Sequence, residues 1–365
     1  MNTFSKADLL EFQSETLSDK VQRSMAKISE WFSYWNKEVY VAFSGGKDST
    51  VLADLCAFWC SICGATLYLV FVNTGLEYPE IQRHVKFFAE YLRQKYQIEV
   101  VLEIVRPKMR FDEVIKKYGY PMISKEVSKC VSSAKRLESK YGQVCRDRLN
   151  GTHKQKNGEV SLFNTPKYKP LLDVDFNISH RCCDVMKKSP SHDYAKKTGR
   201  KPITAQMASE SRLREQQWIK FGCNGFDMST PISNPMSFWT EQDVLQYIKQ
   251  NNIPMASVYG GIEFAVSPEQ LRFSDIDIDC SISDELRTTG CQRTGCIFCG
   301  FGCHREKTPS RFELLKITHP RQYEYCIEGG EYNEDGIWQP NKEGLGMRHV
   351  FEELNKIYGE GFIKY

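Results

Sequence analysis

The chain has 365 residues, of which 41% are hydrophobic and 26% are charged, and its formal net charge is +3. This composition is typical of a globular protein and excludes a disordered or fibrous chain, while the net charge is too small to identify a partner. No apolar run approaches the roughly 20 residues that a membrane-spanning helix needs, and the first residues are too polar for a signal peptide. We therefore expect a cytoplasmic protein with no membrane partner.

The predicted elements alternate between helices and strands. Apolar residues at helical spacing predict one or two helices over residues 7–36, and a short apolar run predicts a first strand at residues 39–43. The alternation continues with a helix at residues 50–63, a strand at 66–72, a helix from Pro79 and a strand at 98–105. This order is the signature of a parallel sheet. We predict an α/β fold with a doubly wound, mainly parallel sheet and flanking helices.

The segment FSGGKDST, residues 43–50, connects the first strand to the following helix. Its two glycines, Gly45 and Gly46, let main-chain amides approach a ligand closely, and the helix N-terminus adds unpaired N–H groups and a partial positive charge. Lys47 adds a full charge, the serines Ser44 and Ser49 can donate hydroxyl hydrogen bonds, and Asp48 can hold the Mg²⁺ that accompanies a polyphosphate. The spacing is not that of a Walker loop. The segment predicts a phosphate cradle.

Fourteen cysteines are many for a reducing compartment, where structural disulfides are rare. We expect eight of them to be small core residues: Cys56, Cys60, Cys63, Cys130, Cys145, Cys223, Cys280 and Cys326. The other six are the adjacent pair Cys182 and Cys183 and a late group, Cys291, Cys296, Cys299 and Cys303. The late group contains a Cys-x-x-Cys and is interspersed with glycines, so its thiolates are suited to tetrahedral zinc or to iron and sulfide.

Basic residues are concentrated in the middle of the chain. Between residues 125 and 156 there are nine of them, against three acidic residues: Lys125, Lys129, Lys135, Arg136, Lys140, Arg146, Arg148, Lys154 and Lys156. We predict an insertion at about residues 124–170. A solvated face and a surface that binds a polyanion are equally consistent with this pattern.

The residues from Ser44 to Ser49 resemble the signature loop of the PP-loop ATP pyrophosphatases. Four later stretches resemble the phosphoadenosine phosphosulfate (PAPS) reductase branch: NTGLEYPE (73–80), RCCDVMKKSP (181–190), SESRLR (209–214) and PMSFWTEQDVLQYIKQNNIP (235–254). The resemblance is collinear from Val39 to Cys303. It implies an adenine nucleotide alpha-hydrolase-like fold and an adenine nucleotide, ATP or PAPS/APS, as ligand.

The resemblance also implies roles for individual residues. Phosphates would be bound by Ser44, Gly45, Gly46, Lys47 and Ser49 with Asp48 near Mg²⁺, the nucleotide would be bordered by Thr74, Gly75 and Glu77, and the pocket would be completed by Glu210 and Arg214. A [4Fe-4S] cluster would be held by Cys182, Cys183, Cys296 and Cys299, with Cys291 and Cys303 as substitute ligands or sulfur-carrying nucleophiles. Zinc held by the late four cysteines is the alternative. The expected catalytic residues are Lys47, Asp48 and Cys303.

Two departures from the reductase pattern shape the expected function. Met207 stands in a stretch where family reductases have an arginine, and the segment GEGFIKY stands where sulfonucleotide reductases have a Glu-Cys-Gly-x-His tail. We therefore expect an ATP-dependent enzyme of sulfur transfer that adenylates an acceptor with release of pyrophosphate. The acceptor is DNA, RNA or a small molecule, and the sulfur donor is a partner such as a cysteine desulfurase. A PAPS/APS reductase and a non-catalytic nucleotide-binding subunit are the alternatives.

The expected domain organisation has three parts. An N-terminal helical segment covers residues 1–37, a PP-loop domain covers residues 38–275, and a small cysteine-rich C-terminal subdomain covers residues 276–365.

Overall fold

The computed structural model describes residues 4–136, 138–265 and 285–365. Cys280, which we expected in the core, and the predicted boundary at residues 275–276 lie outside the described residues. The three-part division therefore stays a prediction.

Helices and strands alternate over residues 39–134, and elsewhere in the described chain two or more elements of the same kind follow one another in places. Its α-helices are α1 (Lys6–Ser14), α2 (Leu17–Tyr34), α3 (Lys47–Cys63), α4 (Pro79–Tyr96), α5 (Phe111–Tyr118), α6 (Lys125–Ala134), α7 (Lys140–Asn150), α8 (Ser189–Thr198), α9 (Arg212–Phe221), α10 (Glu241–Gln250), α11 (Arg311–Thr318), α12 (Pro320–Ile327) and α13 (Met347–Tyr358). Its strands are β1 (Val39–Ala42), β2 (Leu67–Val72), β3 (Val100–Val105), β4 (Met122–Ile123), β5 (Lys201–Ile203), β6 (Asn224–Gly225), β7 (Ile232–Ser233), β8 (Ile262–Phe264), β9 (Leu286–Thr288), β10 (Gly300–Phe301), β11 (Glu331–Tyr332) and β12 (Trp338–Gln339).

The chain forms two compact units, each built from separate stretches of sequence. Unit 1 contains Met1–Asn73, Glu77–Arg106 and Ser191–Thr294, and unit 2 contains Thr74–Leu76, Pro107–Pro190 and Gly295–Tyr365. None of the described helices combines the length and the apolar character needed to cross a membrane.

Unit 1 is built on a six-stranded sheet with the order β3-β2-β1-β5-β7-β6. All neighbouring strands are parallel except β6 and β7. Strand β1 is central, because Val41 pairs with Leu69 of β2 on one side and with Ile203 of β5 on the other. The predicted mainly parallel α/β fold is confirmed.

The core of unit 1 forms where helices cover this sheet. Helix α3 begins at Lys47, three residues before the predicted start, and its residues from Val51 to Ala57 are buried. Cys56 and Cys60 are in the core as expected, but Cys63 is exposed because it is the last residue of the helix. The N-terminal helices confirm the prediction for residues 7–36, and the buried Trp31 of α2 joins the same core.

Unit 2 contains the predicted basic insertion. Helices α6 and α7 pack together there, with Val131 and Leu149 fully buried. Strand β4 pairs in parallel with β10, so Met122 lies beside Gly300, far away in sequence. Besides Cys56 and Cys60, four more of the cysteines expected in the core are buried. They are Cys130, Cys145 and Cys326 in unit 2 and Cys223 in unit 1.

Candidate functional site

Residues 44–49 follow β1 at the point where the strand order of the sheet reverses. From β1 the chain continues to β2 on one side, and β5 occupies the other side. In open α/β sheets, ligands bind in the crevice outside the carboxyl end of the strands at such a switch point. The fold therefore places the predicted phosphate loop at the expected ligand position of unit 1.

The loop has a fixed shape that requires glycine at position 45. Gly45 has a φ of +73°, and a Cβ there would lie 2.8 Å from Cγ2 of Val85 and 2.9 Å from Cγ2 of Ile81. The Ser49 hydroxyl accepts a hydrogen bond from the Ser44 amide at 3.2 Å and donates to the Gly46 carbonyl at 2.9 Å. The N-cap residue of α3 is Gly46, which has no side chain to cap the helix. The Gly46 amide donates to the Ser44 hydroxyl at 3.3 Å and the Lys47 amide donates to the Tyr259 hydroxyl at 3.2 Å, so a bound phosphate would replace these two hydroxyl acceptors.

Lys47 provides a buried positive charge at this helix terminus. Its side chain is 4% exposed, and its Nζ lies 3.0 Å from Oε1 of Glu241 and 3.6 Å from Oδ1 of Asp48. It also donates a hydrogen bond to the Gln292 carbonyl at 3.4 Å. Burial acts to lower the pKa of Lys47, but the two carboxylates outweigh burial and the net direction is upward. The ammonium therefore keeps its proton at neutral pH.

Asp48 carries a carboxylate oxygen that lacks a hydrogen bond. Its Oδ1 is buried and has no hydrogen-bond partner among the described residues, since the Lys47 ammonium is beyond hydrogen-bond distance. Burial raises the pKa of this carboxyl, opposed by the charge of Lys47. The Oδ1 oxygen has the Lys47 ammonium as an ion-pair partner at 3.6 Å but accepts no hydrogen bond from any described residue, so its lone pairs can bind a metal cation. Oxygen ligands are those that Mg²⁺ prefers, so Asp48 fits the predicted magnesium ligand.

Glu210 and Arg214 belong to the same unit as the loop. They form an ion pair with each other, and Glu210 also accepts a hydrogen bond from the Met207 amide at 3.0 Å. Burial lowers the pKa of Arg214, the charge of Arg293 lowers it further, and the charge of Asp48 raises it. Arg214 and Asp48 are thus within electrostatic range of each other.

The predicted nucleotide-bordering residues follow β2. Thr74 and Gly75 group with unit 2, and Glu77 groups with unit 1. The Thr74 hydroxyl accepts a hydrogen bond from the Leu76 amide at 3.2 Å, which shapes the turn. Gly75 has a φ of +75°, and a Cβ at this position would have no described atom within 4 Å. Their assignment to the nucleotide stays a prediction.

The four cysteines predicted to hold a cluster all belong to unit 2. The Cys182 thiol donates a hydrogen bond to the Cys183 sulfur, which raises the pKa of Cys182 and lowers the pKa of Cys183. The pKa of Cys182 is raised further by burial and by Cys183, Cys299 and Cys296, so the other three sulfurs are within electrostatic range of Cys182.

Cationic groups surround this cysteine cluster, which we define as Cys182, Cys183, Cys296 and Cys299. Besides the hydrogen bond from Cys182, the charges of Lys125 and Lys187 lower the pKa of Cys183. The Arg311 guanidinium donates a hydrogen bond to the Cys299 carbonyl at 2.9 Å. These positive charges can balance the thiolates that a metal cluster requires.

The side-chain arrangement does not decide between the two metal hypotheses, zinc and iron–sulfur. In the described ranges, no group of three or more His, Cys, Asp or Glu side chains is arranged to hold a metal ion. Tetrahedral zinc with Zn–S bonds of about 2.3 Å needs sulfurs about 3.8 Å apart. The thiolates of a [4Fe-4S] cluster bind different iron atoms and are spaced more widely. The iron–sulfur cluster and the zinc site therefore both stay predictions.

The two remaining cysteines differ in their surroundings. Cys303 is 3% exposed, and its thiol donates a hydrogen bond to the Gly300 carbonyl at 3.0 Å. Burial raises the pKa of Cys303 to about 12, so this thiol keeps its proton at neutral pH. Cys291 is half-buried in unit 1 and donates a hydrogen bond to the Arg293 carbonyl at 2.8 Å. The catalytic role of Cys303 stays a prediction that requires its deprotonation.

Most basic residues of the insertion point into solvent. Arg148 is an exception, because it is buried, pairs with Glu126 at 2.9 Å and donates to the Phe163 carbonyl at 2.8 Å. Arg146 donates to the Ala134 carbonyl at 2.9 Å. The other seven are exposed: Lys125, Lys129, Lys135, Arg136, Lys140, Lys154 and Lys156. Unit 2 therefore carries an exposed basic surface, defined by these seven residues.

A comparison with protein families shows to which family the chain belongs. The model of the phosphoadenosine phosphosulfate reductase domain matches residues 38–145 and 124–300, which together span more than half of the chain. The chain belongs to the PAPS reductase family. It is also similar to the structure of NMN synthetase from Francisella tularensis, with 13% identity over 66% of this chain and 73% of that chain and a TM-score of 0.31, which is too low to support a conclusion. A comparison with curated proteins gives no match.

Several residues beside the loop of this PAPS reductase family member were not predicted. Glu241, the first residue of α10, pairs with Lys47, although the sequence analysis singled out residues 235–254 only for their resemblance to the family. The Tyr259 hydroxyl accepts a hydrogen bond from the Lys47 amide at 3.2 Å and lies 2.6 Å from Oγ1 of Thr294. Tyr259 and Thr294 carry no sequence signal, because only the tertiary fold brings them to the loop.

Proposed function

We propose that this PAPS reductase family member is an ATP-dependent enzyme of sulfur transfer. It adenylates an oxygen of its acceptor, releases pyrophosphate and then replaces the adenylated oxygen with sulfur. The observation that carries the proposal is the loop at residues 44–49, where the N-terminus of α3, a buried ammonium and a carboxylate oxygen without a hydrogen bond occur together. Such a constellation is suited to a polyphosphate and its magnesium ion.

The loop residues would act mainly on the leaving group. When the acceptor oxygen attacks the α-phosphorus of ATP, the bond between the α-phosphorus and the bridging oxygen breaks and pyrophosphate carries the negative charge away. The main-chain amides of Gly46 and Lys47 would exchange their hydroxyl acceptors, Ser44 and Tyr259, for phosphate oxygens. Together with the Lys47 ammonium, they would stabilise that charge. Asp48 would hold the magnesium ion that neutralises the phosphates. Because Lys47 is charged and nearly fully buried, its effect on the leaving group is not lost to solvent.

The sulfur step would use the cysteine cluster. Cys182, Cys183, Cys296 and Cys299 would hold a [4Fe-4S] cluster, which would supply a site for sulfur binding or electron transfer. A partner such as a cysteine desulfurase would supply the sulfur as a persulfide. The terminal sulfur of this persulfide would attack the acceptor and displace AMP, which joins the acceptor to the donor through an S–S bond. A thiol reductant would then cleave that S–S bond and leave the sulfur on the acceptor.

The basic surface supports a nucleic acid as the acceptor. Its seven exposed lysine and arginine side chains lie on a unit that also carries the cysteine cluster. Phosphate contacts of this kind position a nucleic acid without reading its sequence. We propose DNA or RNA as the acceptor, and binding to the basic surface should weaken steeply as salt increases.

Reduction of PAPS or APS to sulfite is the second candidate, because the family model that matches the chain is named for that reaction. The two reactions give different products from different nucleotides. Met207 is 3% exposed and apolar, so it offers no charge to a sulfate or a 3′-phosphate. This side chain favours the ATP-dependent reaction.

One experiment tests both candidates. Protein purified without oxygen is scanned for the broad visible absorption of an iron–sulfur cluster and is then incubated with ATP or PAPS, with a candidate nucleic acid and a persulfide donor. Pyrophosphate and AMP from ATP support the proposal, and sulfite from PAPS supports the reductase. Nucleotide binding without either product supports a non-catalytic subunit and contradicts the proposal.

Matched variants assign the activities to the two groups of residues. Lys47→Gln should abolish pyrophosphate release, whereas Lys27→Gln should not, because Lys27 only pairs with Glu30 on the surface of α2. Cys182→Ser should remove the visible absorption, whereas Cys63→Ser should retain it, because Cys63 is exposed at the end of α3.

A further inference from the structure

Residues 292–294 lie against the phosphate loop within unit 1. The Gln292 carbonyl accepts a hydrogen bond from Nζ of Lys47 at 3.4 Å. A Cβ at Gly46 would lie 3.3 Å from Oγ1 of Thr294 and 3.3 Å from the Tyr259 hydroxyl. The two ends of this three-residue segment therefore contact the loop, and the residue between them is Arg293.

The neighbouring backbone holds this segment in place. The Gly290 amide donates to the Tyr259 carbonyl, and the Cys291 amide donates to the Val258 carbonyl, both at 2.9 Å. A Cβ at Gly290 would lie 2.5 Å from the Val258 carbonyl oxygen, so the two stretches of chain are in close contact. Tyr259 thus ties the segment to the loop at both its backbone and its hydroxyl group.

Arg293 is the cation beside the loop that has no fixed partner among the described residues. Lys47 is paired with Glu241, and Arg214 is paired with Glu210. Arg293 is exposed and forms no ion pair with any described residue. Its two chain neighbours, Gln292 and Thr294, contact Lys47 and Gly46, so Arg293 lies beside the loop.

We propose that Arg293 binds the phosphate groups of the nucleotide together with Lys47, and that residues 292–294 form the outer wall of the phosphate site. This inference rests on the proposed function of residues 44–49. Arginine is suited to the role because its planar guanidinium can make two parallel hydrogen bonds to a phosphate group. In the adenylation step, Arg293 would add a second positive charge to the departing pyrophosphate, alongside the amides of α3.

The test measures the binding of three ligands by calorimetry: inorganic pyrophosphate, a nonhydrolysable ATP analogue and adenosine. Arg293→Gln should weaken the binding of pyrophosphate and of the ATP analogue by about 10- to 100-fold, the range for a lost hydrogen bond to a charged group. Adenosine affinity should not change, and Arg293→Lys should give an intermediate loss. Arg287→Gln is the matched control, because Arg287 is exposed in the same unit and pairs with Glu263 at 2.9 Å.

The outcomes separate the two proposals. If the wild-type protein binds neither pyrophosphate nor the ATP analogue, both the proposed function and the role of Arg293 are wrong. If the wild type binds both and Arg293→Gln binds them equally well, only the role of Arg293 is overturned. An equal loss for adenosine would also overturn it, because that result would indicate a general distortion of the pocket.

Discussion

Replacing Gly45 with alanine tests the claim that the loop has one fixed shape. The φ of +73° costs about 1–2 kcal/mol for a residue with a Cβ. The new methyl would lie 2.8 Å from Val85 and 2.9 Å from Ile81, about 0.7 Å closer than an ordinary carbon–carbon contact. Overpacking of this kind costs about 1–3 kcal/mol. We therefore expect Gly45→Ala to lower the free energy of unfolding by about 2–5 kcal/mol.

The assay is a urea titration followed by tryptophan fluorescence. Five of the six tryptophans belong to unit 1, and Trp31, Trp218 and Trp239 are buried there, so the signal reports the unit that contains the loop. Nucleotide binding should be lost together with stability, because α4 and the loop would have to separate to admit the methyl group.

Gly64→Ala is the matched control that measures the cost of the positive φ without the packing contacts. Gly64 ends α3 with a φ of +56°, and a Cβ there would have no described atom within 4 Å. This variant should lose only about 1–2 kcal/mol. Equal losses for Gly45→Ala and Gly64→Ala would refute the packing argument and show that the loop can move away from α4.

Two further predictions concern buried ionisable groups in unit 1. Lys20 is 3% exposed, and its Nζ lies 2.8 Å from both carboxylate oxygens of Asp243. Lys20→Met should lower the free energy of unfolding by about 3–5 kcal/mol, because it leaves the buried Asp243 carboxylate without its partner. Adding Asp243→Asn should recover part of the loss in the same urea titration, and no recovery would contradict the prediction. Burial lowers the pKa of His84 to about 4, because it favours the neutral imidazole in the folded protein. The contribution of neutral His84 to the free energy of unfolding is therefore complete above pH 6.5. It is lost as the pH falls from 6.5 towards 4, by up to about 3 kcal/mol. His84→Gln should remove this part of the pH dependence, and an unchanged pH profile would show that His84 does not cause it.

The sequence predicted the elements that have a strong local pattern. Strands β1 to β3 and helices α3 and α4 carry long apolar runs or clear helical spacing, and all of them are present. Strand β5 could not be predicted, because only Ile203 of its three residues is buried and Pro202 disfavours a central strand. The pairing of β4 with β10 joins distant residues and has no local signature.

In the candidate site, too, residues that come from distant parts of the chain have no local sequence signature. Lys47 and Asp48 could be chosen from the sequence because the loop is contiguous and lies between a strand and a helix. Glu241, Tyr259 and Arg293 could not, since each comes from a distant stretch and reaches the loop only through the tertiary fold. The four residues of the cysteine cluster were chosen for their resemblance to a known motif, and their role as metal ligands stays a prediction.

A crystal structure of the protein with a nonhydrolysable ATP analogue and magnesium tests the central claim most directly. We expect the phosphates to contact the amides of Gly46 and Lys47 and the Lys47 ammonium, with the metal ion at Asp48. A structure with the nucleotide bound elsewhere and no phosphate at residues 44–49 would contradict the proposal.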